Sequence, residues 1–126
     1  MSLAADLAVA FIALQHLLFL VLEMFLWNRP VGRRIFGLDK EFARRSAALA
    51  ANQGLYNGFL AAGLVWGLLA GPADLAIKEF FLACVIVAGI FGALTVKQSI
   101  LWIQAVPGAL ALLLVYLASS PGQVTL

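Results

Sequence analysis

Four long apolar stretches take up most of this chain of 126 residues. A helix that crosses a bilayer needs about 20 mostly apolar residues, and the stretches at about 3–27, 46–70, 75–96 and 100–118 are all near that length. The composition agrees, because 64% of the residues are hydrophobic and only 11% are charged, whereas soluble domains are about 25% charged. The sequence therefore predicts an all-α fold, in which residues 1–126 form a single integral membrane domain built as a four-helix bundle.

The basic residues indicate how the bundle is oriented. The first loop holds six of them: Arg29, Arg33, Arg34, Lys40, Arg44 and Arg45. The third loop adds Lys97, and only Lys78 lies near the opposite side. Because Lys and Arg are concentrated in cytoplasmic loops, we expect the first and third loops to be cytoplasmic and both termini to lie outside.

The long first loop, here called the basic segment (29–45), has features of its own. Residues 38–45 are predicted to be helical, with Asp39 as the N-cap and Glu41 and Arg45 as an i,i+4 ion pair. One interpretation makes the segment a topology determinant and lipid anchor, in which Phe36, Leu38 and Phe42 lie on the membrane surface and the arginines meet anionic headgroups. The other makes it a lid over a pocket that faces the cytoplasm.

Ionisable side chains occur inside the first apolar stretch, where they are costly unless they have partners. His16 and Glu23 are seven residues apart, which is nearly two helical turns, so they are predicted to share one face. Trp27 follows one turn after Glu23, at the depth where aromatic belts form. This stripe makes His16 and Glu23 the candidate catalytic residues and Trp27 a candidate binding residue.

Polar side chains of the other helices are expected to meet Glu23 in the cytoplasmic half of the bundle. The candidate substrate-binding residues are Asn52, Gln53, Tyr56, Asn57, Lys97, Gln98 and Gln104. The outer half has almost nothing polar in its sequence, so a one-sided pocket is favoured over a pore. Spaced glycines such as Gly54 and Gly58 permit close helix packing, which favours a homodimer, and Pro107 is expected to kink or loosen the last helix.

Three short runs carry a resemblance to a known family: LEMFLW (22–27), FGL (36–38) and especially NQGLYNGFLAAG (52–63). They are similar to a family of small bacterial four-helix integral membrane proteins labelled only as a domain of unknown function. The resemblance covers nearly the whole chain. It implies the fold, the topology and a bacterial inner membrane location, but no reaction.

Three functions are compatible with such a site. The first is binding or conversion of a lipophilic small molecule, for example by isomerisation or hydration, with His16 or Glu23 moving a proton and the amides orienting the polar head. The second is a small proton-coupled exporter that works as a dimer, since small multidrug transporters also have four helices and a membrane-embedded glutamate. The third is a structural or regulatory membrane protein.

Other classes are disfavoured by the sequence. With one histidine and one cysteine, a metal centre that needs three or four ligands is not expected within one chain, and no cofactor is predicted. The basic segment is short and mixed with acids, so nucleic-acid binding is not expected either. The predicted partners are the lipid bilayer, a lipophilic ligand and a second copy of the chain.

Overall fold

A computed structural model describes residues 2–120 and shows only helices and their connections there. The helices are α1 (Leu3–Met24), α2 (Pro30–Phe36), α3 (Lys40–Leu69), α4 (Asp74–Thr95) and α5 (Val106–Ser119). A 3₁₀ turn (Gly71–Ala73) precedes α4, and a π-helical turn (Leu101–Ala105) leads directly into α5. The predicted all-α class is therefore confirmed over this part of the chain.

Three helical segments within residues 2–120 are long and apolar enough to cross a bilayer: Leu3–Met24, Gly71–Thr95 and Leu101–Ser119. This finding indicates a membrane protein. Helix α3 has 30 residues, and at about 1.5 Å per residue it is longer than the thickness of a bilayer's hydrocarbon core. It is not among the three because Asn52, Gln53 and Asn57 lower its mean hydropathy.

The basic segment contains a complete short helix, α2, that the sequence analysis did not predict. Helix α1 ends at Met24, before the predicted boundary at 27, and Pro30 then opens α2. A proline in the first turn costs no hydrogen bond, because that N–H has no partner within the helix. Gly37 ends α2 in the left-handed conformation with φ of 66°, and the N–H of Leu38 donates to the carbonyl oxygen of Arg33 at 2.9 Å, as in other glycine-terminated helices.

Helix α3 begins inside the basic segment, as the helical prediction for 38–45 required. The N–H of Phe42 donates to Oδ1 of Asp39 at 2.8 Å, which confirms the predicted cap. The predicted ion pair of Glu41 with Arg45 is wrong, because Glu41 pairs with Arg44 at 2.5 Å. Residues three apart are also neighbours on a helix surface, so the sequence spacing alone did not decide between the two arginines.

Contacts within the chain group its residues into two compact units. One unit is Leu14–Ala61, which contains the end of α1, all of α2 and most of α3. The other comprises Met1–Ala13 and Ala62–Leu126, which contain the start of α1, the end of α3, and α4 and α5.

Within this second unit, α4 packs against the π-helical turn and α5. The predicted loosening near Pro107 takes the form of that turn, in which the N–H of Val106 donates to the carbonyl oxygen of Leu101, five residues earlier. Proline has no N–H of its own to continue the regular pattern. Helix α4 comes very close to this turn, because a Cβ atom on Gly89 would lie 2.8 Å from the backbone nitrogen of Ala105.

Candidate functional site

A buried carboxyl and an amide from two helices form the centre of the site in the unit Leu14–Ala61. Glu23, near the end of α1, is only 7% exposed. The side-chain Nδ2 of Asn57 in α3 donates to Oε1 of Glu23 at 2.5 Å. No arginine or lysine of this unit, all of which the structure describes, forms an ion pair with Glu23. The structure therefore pairs the carboxyl with a neutral partner instead of an arginine of the basic segment.

Two glycines of α3 allow this contact by bringing α3 close to α1. A Cβ atom on Gly54 would lie 2.7 Å from Cγ of Met24 and 3.1 Å from Cβ of Glu23. A Cβ atom on Gly58, one turn later, would lie 2.6 Å from Cδ1 of Leu20. Gly54 and Gly58 therefore pack against α1 of the same chain, so they do not support the predicted homodimer. The close packing lets the short side chain of Asn57 reach Glu23.

Two of the other polar residues of α3 lie on a different face of the helix, and all three are exposed. At 100° per residue, Asn52 and Tyr56 are nearly opposite Gly54 and Gly58. Asn52, Gln53 and Tyr56 are all exposed, and Tyr56 contacts only Phe59 among the aromatic rings, with centroids 5.7 Å apart. The structure thus brings Asn57 to Glu23 and leaves Asn52, Gln53 and Tyr56 exposed. Of the α3 side chains that were expected to meet Glu23, Asn57 is the one that donates a hydrogen bond to it.

His16 and Trp27 have different surroundings, although both were assigned to one stripe with Glu23. His16 lies inside α1 with 0% exposure, and its ring meets Phe19 edge to face with centroids 5.2 Å apart. Trp27 lies beyond the end of α1, so the stripe does not extend to it. Its Nε1 donates to Oγ of Ser46 at 3.0 Å, and its ring packs on Phe36 with centroids 4.8 Å apart. These contacts give Trp27 a structural role in joining the turn to α2 and α3.

Three further predicted binding residues, Lys97, Gln98 and Gln104, belong to the other unit. Lys97 and Gln98 are exposed in the connection between α4 and the π-helical turn. Gln104 is half-buried in that turn, and its Nε2 donates to the carbonyl oxygen of Val85 in α4 at 3.0 Å. This bond ties the turn to α4, and it gives Gln104 a structural partner.

The same unit contains an ionic cluster around the buried Lys78, which was not predicted from the sequence. Lys78 in α4 is 1% exposed, and its Nζ lies 2.9 Å from Oδ1 of Asp6 and 3.2 Å from Oδ2 of Asp74. Gly67 makes room for it, because a Cβ atom there would lie 2.8 Å from Cγ of Lys78. Asp6, Asp74 and Lys78 all lie toward the predicted outer side of the bundle, where almost nothing polar was expected. The i,i+4 spacing of Asp74 and Lys78 was the available signal, and the distant Asp6 was not predictable from it.

The comparison with known proteins identifies the family. The model of a family described as "Protein of unknown function (DUF1304)" matches residues 10–116. The chain belongs to this family. It is also 33% identical over 104 residues to the "Uncharacterized protein YpaA" of Lactococcus lactis subsp. lactis (strain IL1403), an overlap that covers 81% of this chain and 85% of the relative. No solved structure matches the chain. The predicted resemblance is confirmed, and membership of the DUF1304 family assigns no reaction.

Chemically, this DUF1304 chain offers two different polar centres. Glu23 and Asn57 form a carboxyl–amide pair that can hold the polar end of an apolar molecule or exchange a proton with it. Lys78, Asp6 and Asp74 form an ionic cluster in which one cation faces two carboxylates. Glu23 is buried against a neutral amide, whereas Lys78 contacts two groups of opposite charge. Glu23 would therefore gain more from an additional polar partner, which makes it the better candidate for contact with a ligand.

Proposed function

We propose that this chain is a multi-pass protein of the bacterial plasma membrane that crosses the bilayer with α1, α3, α4 and α5. Three of these helices are apolar enough by themselves, and the length of α3 supports a fourth span. Six of the eight basic residues lie in the basic segment, which runs from the turn after α1 into the first turns of α3. This concentration supports a cytoplasmic basic segment and both termini outside. The source of the 33% identical relative supports the bacterial location.

In this membrane, the proposed function is to bind or convert a lipophilic small molecule whose polar head meets Glu23. The observation that carries the proposal is the burial of this carboxyl against a neutral amide, Asn57, at 2.5 Å. A polar head with a hydroxyl, carbonyl or amine group would add the hydrogen bonds that one amide cannot supply. Glu23, with His16 on the same helix, would supply acid–base chemistry if the molecule is converted.

The proposed partner of the exposed α3 face is a second copy of the chain. Asn52, Gln53 and Tyr56 would be costly in contact with lipid tails, because hydrocarbon offers no hydrogen bonds. Amide side chains both donate and accept, so the same residues of two copies can satisfy one another. The proposed dimer rests on these polar side chains, because Gly54 and Gly58 pack inside the chain.

Native mass spectrometry of the gently purified full chain tests both parts. A specific lipophilic molecule should remain bound to the unaltered chain, and Glu23→Gln should lose it while keeping its melting temperature, because glutamine can still accept the bond from Asn57. Glu79→Gln, the same chemical change in α4, serves as the matched control and should retain the molecule. Detection of bulk phospholipid alone, or a molecule that survives Glu23→Gln, contradicts the binding proposal. The same spectra report whether Asn52→Leu lowers the dimer fraction.

A proton-coupled exporter is the second candidate, and the cluster around Lys78 supports it. Transport requires polar groups along the path, and the sequence pattern predicted them only in the cytoplasmic half of the bundle. The buried Lys78 and its partly exposed partners Asp6 and Asp74 add ionisable groups in α4 and α1. In proteoliposomes with an imposed proton gradient, substrate flux that is lost in Glu23→Gln would favour the exporter. Binding without flux would favour the first proposal, and a loss of stability without either would favour a structural protein.

A further inference from the structure

We infer that the basic segment (29–45) is a docking surface for the anionic headgroups of phospholipids. The surface is formed by the exposed side chains of α2 and of the first turns of α3. The inference uses the membrane location of the proposed function and is independent of its ligand. All of the residues involved belong to the unit Leu14–Ala61.

The charge of the segment provides the first argument. Six of the eight basic residues of the chain and two of its six acidic residues lie within 29–45, so the segment carries a formal charge of +4 and the rest of the chain −2. One of the two acids, Glu41, is already paired with Arg44. Arg29, Arg34 and Arg45 are exposed. A bilayer surface rich in anionic lipid presents many phosphates in one plane, which matches several spaced cations better than a single bound anion does.

The apolar side chains between the charges provide the second argument. Val31 is 47% exposed, Ile35 54% and Phe42 50%. Val31, Arg34 and Ile35 are spaced i, i+3, i+4 and share one face of α2, and Phe42 is followed by Arg45 one turn later in α3. Each apolar side chain thus has an arginine beside it. This arrangement is typical of interfacial helices, which insert apolar groups below the headgroups while arginines extend to the phosphates.

The structure also changes which residues form this surface. Phe36, one of the aromatic residues expected on the membrane surface, packs on Trp27 instead, with centroids 4.8 Å apart. This contact fixes α2 to the turn after α1 and leaves Val31 and Ile35 exposed on the helix. The apolar part of the surface therefore comes from Val31, Ile35 and Phe42. A lid over the pocket would instead be expected to turn its apolar residues toward the chain.

Lipid selectivity of the reconstituted full chain tests the inference. We would reconstitute the chain in phosphatidylcholine vesicles with traces of spin-labelled phosphatidylglycerol or spin-labelled phosphatidylcholine. The protein should associate preferentially with phosphatidylglycerol, and Arg34→Gln should lower that preference roughly fivefold, which corresponds to the usual contribution of one basic residue near an anionic surface. Arg34→Lys keeps the charge and should keep most of the preference.

The outcomes are distinct from those of the ligand proposal. Glu23→Gln should keep the lipid preference, because Glu23 lies outside the basic segment. No preference in the unaltered chain, or an unchanged preference in the double variant Arg34→Gln/Arg45→Gln, would overturn the inference. Both residues are exposed, so the variants should fold, and circular dichroism checks that they do.

A depth measurement tests the apolar half of the argument. Cys84 is the only cysteine, so Cys84→Ser gives a background for a single spin label at Ile35→Cys or at Lys40→Cys. The label at position 35 should be more accessible to oxygen than to a water-soluble nickel chelate, and the label at position 40 should show the reverse. Equal access of the nickel chelate to both positions would show that α2 does not enter the interface.

Discussion

Removing both carboxylates around Lys78 should destabilise the protein by more than the sum of the two single changes. Nζ of Lys78 is 2.9 Å from Asp6 and 3.2 Å from Asp74, and the lysine side chain is only 2% exposed. In Asp6→Asn or Asp74→Asn, the amide oxygen still accepts a hydrogen bond and one carboxylate remains. Each single variant should therefore lose only the advantage of a charged over a neutral hydrogen bond, about 1 kcal/mol.

The double variant Asp6→Asn/Asp74→Asn is different, because the buried ammonium group then loses both of the carboxylates that it contacts. Breaking a buried ion pair in this way costs about 3–5 kcal/mol, against about 2 kcal/mol expected from adding the single effects. The partial exposure of Asp6 and Asp74, with side chains 42% and 24% exposed, places the expected value at the lower end of the range, because water screens exposed charges.

Equilibrium unfolding in mixed detergent and dodecyl sulfate micelles, followed by tryptophan fluorescence, measures these differences. Adding Lys78→Met to the double variant should restore most of the stability, because an apolar side chain of similar length then replaces a buried cation that has lost both carboxylates. Additive effects of the two single changes, or a triple variant no more stable than the double variant, would refute the reasoning that Lys78 is held as a buried cation by both carboxylates.

Two other predictions concern backbone contacts. Gly89→Ala should destabilise the fold by about 1–3 kcal/mol, because its Cβ would lie 2.8 Å from the backbone nitrogen of Ala105. Gly92→Ala should cost less, because its Cβ would meet the side chain of Ile100 at 3.2 Å. Equal effects of the two changes in the same unfolding assay would contradict the proposed close contact. Asp39→Ala should cost about 0.5–2 kcal/mol through loss of the cap to Phe42, and Asp39→Asn should not; thermal melts that rank the two variants alike would argue against the cap.

Local rules account for the parts of the fold that the sequence predicted correctly. Apolar stretches of sufficient length predicted α1, α4 and α5, because a helix is the simplest way to satisfy every backbone group within one segment in a bilayer. Asp39 was identifiable as a cap because its side chain bonds to a neighbour three residues away. The helix α2 was missed because Pro30 was read only as the end of a helix, although proline also suits the first turn of one.

The sequence by itself determined that the chain is helical, that three of its helices suit a membrane, and that Glu23 lies in an apolar stretch. Only the tertiary structure decided which side chains meet. The register between α1 and α3 selected Asn57 over Asn52 as the partner of Glu23, and the packing of α1 on α4 joined Asp6 to Lys78 across the chain. A helical period fixes the face on which a residue lies, but the depth at which two helices face each other depends on their packing, here on glycines that let the backbones approach.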